Sequence, residues 1–284
     1  MGLLEAVVLG ALQGATEFLP ISSSAHLVIV PAALGWHAPL SFDVAVHIAT
    51  GLAVLAYFRA DWARLIGGGW RGLRAGNPWA DPDARALILI GVASIPVAVA
   101  GIAFRAVYEQ LLSGDLSAVA REAGAQLIVN GLLLVAAEPI ARAQAMRRLG
   151  AAAPAATGGA DVGPLQSVVI GLAQALALLP GISRSGATIV AGQVLGLSRE
   201  SAARFSFLLG TPAILGAGIV EAFERSGGAA APGEVGALAA GFAASFVVGW
   251  VSIDWLLGYL RRAPLHAFAV YCWVVGALAM LWFW

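Results

Sequence analysis

Two short segments, 161 residues apart, hold a carboxylate, a histidine, an arginine and a run of serines inside long apolar surroundings. The first reads Gln13-Gly-Ala-Thr-Glu17-Phe-Leu-Pro20-Ile-Ser22-Ser23-Ser24-Ala-His26, the second Leu179-Pro180-Gly-Ile-Ser183-Arg184-Ser185-Gly186-Ala-Thr188. Each breaks an apolar helix at Leu-Pro and resumes with small hydroxyl residues. A helix that restarts inside a membrane presents unpaired N–H groups and the positive end of its dipole, a seat for phosphate. Ser22, Ser23 and Ser24 stand before one restart, and Ser183, Ser185 and Gly186 before the other, with Thr188 one turn on. Gly186 lets the backbone approach a ligand, and Arg184 offers a forked cation to phosphate oxygens. Two facing restarts would hold a diphosphate. The alternative for the serines is plain helix capping.

Glu17 follows Gln13 by four residues, so the two share a helical face. That carboxylate is suited to bind Mg²⁺ or Ca²⁺ bridging to phosphate, or to orient a nucleophile, with Gln13 adding an uncharged amide oxygen. His26 follows Ser23 by three residues, a spacing at which it exchanges a proton with a serine or phosphate oxygen, or is merely hydrogen-bonded. Phosphoryl transfer asks for an in-line nucleophile, charge neutralisation and positioning, and this set contains each. A site at membrane depth calls for a substrate with a phosphate head and a long apolar tail.

The elements that must position these groups are membrane helices. The chain is 60% hydrophobic and 11% charged, where a soluble domain carries about 25% charged residues. The N-terminus has no basic region before its apolar run, so it reads as structure and not as a cleaved signal. Lysine is absent and all 16 basic residues are arginine, which reads as coding bias; the single Cys272 reads as a small core residue. Six apolar stretches are long enough to span a bilayer: about Phe42–Phe58, Ala86–Phe104, Ala123–Ile140, Ser201–Ala222, Val235–Leu257 and Pro264–Trp284. Two more, Leu3–Leu34 and Leu165–Leu197, break in the middle into halves too short to cross alone, and are expected to be re-entrant hairpins.

With that map, twelve arginines fall on one side (59, 64, 71, 74, 85, 142, 147, 148, 199, 204, 261 and 262) and three (105, 121 and 225) on the other. The first side is then cytoplasmic and both termini lie outside. The first hairpin enters from outside, the second from the cytoplasm. The halves also resemble each other, residues 1–149 forming one repeat and 164–284 the second, with an Ala- and Gly-rich cytoplasmic linker at 150–163. Three spans per half insert the second copy upside down. The expected fold is therefore all-α and polytopic: six transmembrane helices, two re-entrant hairpins, an inverted-topology repeat. Such repeats serve transporters and equally suit an enzyme acting on a lipid head group.

The two segments resemble the signatures of the undecaprenyl-diphosphate phosphatase family, the bacitracin-resistance class. Gln13 to Leu27 follows its E/Q-G-x-T-E-F-L-P-I/V-S-S-T-G-H-L signature, and Pro180 to Thr188 matches P-G-x-S-R-S-G-A-T in full. The resemblance covers essentially the whole chain. It implies a hydrolase of the bacterial cytoplasmic membrane that converts undecaprenyl diphosphate to the monophosphate with Mg²⁺ or Ca²⁺, its site open to the outer face. Recycling of the lipid carrier for peptidoglycan synthesis and bacitracin resistance would follow. It implies functional roles for Glu17, Ser23, His26 and Arg184, with Gln13 heading the E/Q-x-x-x-E element. Ser23 would be the nucleophile or position it, His26 the general acid/base, and Arg184 the phosphate clamp. Glu17 would bind the metal or activate Ser23.

The partners so implied are the lipid substrate and surrounding membrane lipids, with no nucleic acid and with a homodimer as an open alternative. Three departures stand out. Gln13 replaces the commoner glutamate, and Ser24-Ala25 replaces Thr-Gly. His47, where many relatives carry glutamine, reads first as a hydrogen-bonded packing residue, with a titrating role as the alternative. A lipid-carrier flippase is the main rival function. A type-2 phosphatidic-acid phosphatase is excluded by the absence of the lysine that opens its signature.

Overall fold

The computed structural model describes residues 1–104, 115–150, 162–179, 181–224 and 234–284. Pro180, Arg105, Arg225 and most of the expected linker lie outside the described residues. Twelve α-helices, and no strand, make up the described residues: α1 Leu3–Phe18, α2 Ser23–Leu34, α3 Leu40–Tyr57, α4 Arg59–Arg74, α5 Pro82–Ala103, α6 Leu116–Ala136, α7 Glu138–Gly150, α8 Pro164–Leu176, α9 Arg184–Val194, α10 Arg199–Glu224, α11 Glu234–Leu260 and α12 His266–Trp282. The protein is an all-α polytopic membrane protein. Five of its helical stretches are long and apolar enough to cross a bilayer: α3, α5, α6 with the start of α7, α10 and α11. The sixth expected span, α12, has 17 residues, about 25 Å of helix. It covers most of an apolar layer about 30 Å thick and ends in the exposed Trp282 and Trp284, residues of the interfacial belt.

Both broken segments form pairs of short helices. The legs have 16 and 12 residues in α1 and α2, and 13 and 11 in α8 and α9. None reaches the roughly 20 residues that a span requires. The outer legs start alike. Gly2 N–H donates to Glu5 Oε2 at 2.9 Å, and Gly163 N–H to Gln166 Oε1 at 2.7 Å, so each helix closes its first turn with its own third residue.

Packing between the halves is reciprocal. α1 lies on α11 and α8 on α5, α3 packs on both α10 and α11, and α6 packs on α12. Glycines set the closest approaches. A Cβ on Gly10 of α1 would strike the Gly241 backbone of α11, and one on Gly171 of α8 would strike the Ala93 backbone of α5. At the α6–α12 crossing, Gly124 and Gly276 each face the other's carbonyl. Small residues that let backbones touch hold membrane helices together where lipid removes the hydrophobic drive.

Two features depart from the expected spans. Residues 59–74, read as an inter-span segment, form α4, which buries Leu65, Gly68 and Gly72 and exposes Ile66, Trp70 and Leu73. That division of faces is the pattern of an amphipathic helix suited to a membrane interface. Within the span expected to run to Ile140, helix α6 ends at Ala136 and α7 starts at Glu138. Pro139 has no N–H and crowds the carbonyl four residues back, so the ladder cannot continue. On this arginine-rich side Glu138 pairs with Arg142 at 2.9 Å and with Arg199, and Asp61 on α4 with Arg204 on α10 at 3.1 Å.

Gly10→Val forces a backbone clash and is expected to lower the melting temperature of the detergent-purified protein by about 5 °C or more. Gly91→Val, with nothing near its Cβ position, leaves it within about 1 °C. Fluorescence-detected thermal unfolding measures both, and equal shifts would overturn the close-approach argument.

Candidate active site

The tips of the two hairpins meet. Asn130, fully buried on α6, donates from Nδ2 to the Pro20 carbonyl at 2.9 Å and accepts Ser183 N–H on Oδ1 at 3.1 Å. Ser185 Oγ donates to the Leu19 carbonyl at 3.1 Å, and Gly181 N–H to Ser24 Oγ at 3.5 Å. Backbone groups freed by the two breaks are thus satisfied from across the break, as a low-dielectric setting demands.

At this junction the Glu17 carboxylate has a partner on every side. Oε1 accepts Arg184 Nη2 at 3.0 Å, bridging the two hairpins. Oε2 accepts Ser23 Oγ–H at 2.6 Å and Gln13 Nε2 at 3.0 Å. Glu17 is 8% exposed and Gln13 fully buried. Three polar atoms are left over here. Arg184 Nη1 and Gln13 Oε1 are buried without a hydrogen-bond partner, and Ser23 Oγ keeps its lone pairs. α10 makes room for the guanidinium because Gly210 carries no side chain where Arg184 lies.

The α2 restart is tightly made. Ser22 is its N-cap, accepting Ala25 N–H on Oγ at 3.4 Å, with φ of 66°. That conformation is unusual for a residue with a Cβ and is often found at functional sites. His26, 2% exposed, donates from Nδ1 to the Ser22 carbonyl at 2.7 Å, and its Nε2 lies 2.8 Å from Tyr271 Oη on α12. The carbonyl can only accept, so the neutral ring accepts the tyrosine hydroxyl. Both nitrogens are engaged, and neither meets the Ser23 hydroxyl.

A cavity of about 670 Å³ opens beside this cluster. Its polar lining is Thr16, Glu17, Ser22, Ser23, Ser24, His47, Ser183 and Arg184. Its apolar lining comes from the end of α5, from α8 and from the turn after it, Ala177 to Leu179 with Ile182. A charged head with an attached hydrocarbon tail matches that mixed lining.

Of the residues singled out in sequence, Glu17, Ser22, Ser23, Ser24, Ser183 and Arg184 line the cavity. Gln13, His26, Ser185, Gly186 and Thr188 do not. Gln13 stands behind Glu17. Ser185 is turned to Leu19, and Thr188 Oγ1 lies 2.6 Å from Ser206 Oγ on α10. Gly186 N–H is taken by Ser183 Oγ at 3.1 Å, and its missing Cβ makes room for Asn130 Oδ1, not for a ligand. Ser185 faces the first hairpin, Gly186 faces α6 and Thr188 faces α10, which leaves none of the three toward the cavity. Sequence reasoning passed over Asn130 and Tyr271. An amide inside an apolar span was the available signal for Asn130; Tyr271, an exposed tyrosine on an apolar helix, carries none.

The family model described as Bacitracin resistance protein BacA matches residues 6–278. The undecaprenyl-diphosphatase of Synechococcus sp. (strain CC9902) is 41% identical over 287 residues, covering 99% of this chain and 95% of the relative. That of Mycolicibacterium paratuberculosis (strain ATCC BAA-968 / K-10) is 41% identical over 301 residues, covering 98% and 96%. That of Methanobrevibacter smithii (strain ATCC 35061 / DSM 861 / OCM 144 / PS) is 37% identical over 293 residues, covering 99% and 98%. Such likeness along nearly the whole chain takes in both hairpins and the helices that join them, and on that ground the chain belongs to the bacitracin resistance protein BacA family.

Proposed function

We propose that this protein hydrolyses undecaprenyl diphosphate to undecaprenyl phosphate and inorganic phosphate, returning the lipid carrier to cell-wall synthesis and conferring bacitracin resistance. One observation carries the reading. A single carboxylate, Glu17, holds the Ser23 hydroxyl on one oxygen and Arg184 on the other, in a cavity whose remaining lining is mostly apolar. The name of the similar proteins supplies the substrate.

In this reading Ser23 is the nucleophile and Glu17 its base. Ser23 Oγ bonds to the terminal phosphorus, its proton passes to Glu17, and the bond from that phosphorus to the bridging oxygen breaks. Undecaprenyl phosphate leaves, and water then releases phosphate from Ser23. Arg184, which lines the cavity, meets the phosphoryl oxygens with its guanidinium, stabilising charge where it develops. His26 is a positioning residue, tying the Ser22 carbonyl to Tyr271. The apolar wall of α5 and α8 seats the first prenyl units.

Glu17, at the cavity, fits a Mg²⁺ or Ca²⁺ ion. Gln13 stands behind it, with Nε2 on the carboxylate and Oε1 an unpartnered hard oxygen, and Mg²⁺ takes few protein ligands when phosphate oxygens complete the shell. No group of three or more His, Cys, Asp or Glu occurs among the described residues, so the substrate would supply the rest. When bound, the ion neutralises diphosphate charge.

The two halves are inverted copies, a reading supported by the reciprocal packing of α1 on α11 and α8 on α5. The arginine bias puts the α2–α3 and α5–α6 connections outside, and with them the cavity mouth near Phe104. The same architecture keeps lipid-carrier flipping as the rival activity. Absence of phosphate release by purified protein under every divalent metal would favour that rival.

Ser23→Ala and Arg184→Ala should each lower phosphate release by about a hundredfold or more while the protein stays monodisperse; near-normal turnover from either would remove its role. Chelation should abolish activity and Mg²⁺ or Ca²⁺ restore it. Gln13→Glu should reduce the metal concentration at half-maximal activity, and a raised requirement would exclude Gln13 from the ion site. For sidedness, cysteine at His37 should react with an impermeant maleimide on intact cells and cysteine at Asn77 should not. The reverse pattern would invert the proposed orientation.

A further inference from the structure

The covalent reading above leaves one proton without an acceptor: the one that water loses as it displaces phosphate from Ser23. Three groups at or beside the cavity have the chemistry to take it. Glu17 has both oxygens committed, Oε1 to Arg184 and Oε2 to Ser23 and Gln13, and in that reading it already carries the serine proton. His26 does not line the cavity, and both its nitrogens are engaged. The third is His47 on α3, which lines the cavity together with Glu17, Ser23 and Arg184.

The local structure decides which nitrogen His47 presents. Its Nδ1 lies 2.7 Å from the Asp43 carbonyl, one turn back on the same helix. A carbonyl only accepts, so Nδ1 bears the hydrogen and the neutral ring presents a lone pair on Nε2. Nε2 makes no hydrogen bond among the described residues. The ring is half-buried, fixed at one nitrogen and open at the other. Its charged surroundings are Glu17 across the cavity, beside Arg184, and Asp43 on its own helix. Asp43 in turn feels the charge of Glu221 on α10.

We propose that His47 is a catalytic residue of this enzyme, the general base of the second step; the assignment rests on the covalent reading of Ser23. Water oxygen bonds to phosphorus while its proton moves to His47 Nε2. The bond from phosphorus to Ser23 Oγ breaks, the serine oxygen recovers the proton held by Glu17, and inorganic phosphate leaves. The imidazolium then returns its proton to water in the cavity. His47 thus acts on water, whereas Glu17 acts on serine.

The test uses purified full-length protein and undecaprenyl diphosphate labelled in its terminal phosphate. His47→Gln installs the residue many relatives carry, keeps an N–H for the Asp43 carbonyl and takes no proton; with Gln13 in place of the commoner glutamate, no second carboxylate stands beside Glu17 to take it instead. It should lower kcat about a hundredfold, leave KM within about threefold, and accumulate label on the protein toward one per chain. Turnover within about threefold of wild type would overturn the proposal. So would a fallen kcat with no labelled protein, provided Ser23→Ala is inactive in the same assay. Turnover retained by Ser23→Ala would instead overturn the covalent reading on which the proposal rests.

Discussion

A backbone broken inside a bilayer must find partners for its freed N–H and C=O groups within the protein, because lipid offers none. Each unmet group costs about 2–7 kcal/mol. Here the two breaks satisfy each other. Asn130 serves the Pro20 carbonyl with one end of its amide and the Ser183 N–H with the other, and Ser185 reaches back to Leu19. Once the tips are locked in this way, Glu17 and Arg184, 167 residues apart in the chain, stand 3.0 Å from each other. The rest of the fold serves to bring those tips to one depth.

That delivery depends on short legs and close crossings. Legs of 11 to 16 residues cannot reach the far side, so their ends stay at mid-membrane. Glycine contacts of α1 on α11 and α8 on α5 bring each hairpin against a full span. Phe18 at the end of α1 packs edge-on against Phe207 of α10, ring centroids 5.5 Å apart, joining the first tip to the second half. On the arginine-rich side, ion pairs among α4, α10 and α7 tie the helix ends at the interface, where water moderates the cost of charge.

The site itself is electrically thrifty. One carboxylate and one guanidinium sit at depth, paired, so the resting protein buries little net charge. A buried pair of this kind is tolerated when further hydrogen bonds satisfy its remaining groups. Ser23 and Gln13 do so for Glu17, while Arg184 Nη1 and Gln13 Oε1 stay unmet. Those two orphans, one donor and one acceptor, are the polar atoms that the paired site leaves unmet.

Helix class, the two breaks and the polar clusters were legible along the chain, because hydropathy, Leu-Pro and caps are local signals. Glu17, Ser23 and Arg184 stood out for the same reason: charge and hydroxyls in an apolar run are costly wherever they fold. The break at Pro139 was local too, yet the apolar count carried across it, and the amphipathic α4 was hidden by its arginines. Tertiary structure alone decided what each polar group faces. It turned Ser185, Gly186 and Thr188 inward as framework, gave His26 to Tyr271, and made Asn130 the bridge between hairpins. It also placed His47 on the cavity wall beside Glu17 and Arg184. The physical reason is that periodicity assigns a residue to a helix face, whereas the partner of that face is set by which helices cross and how closely, and here the crossings join residues from opposite halves of the chain.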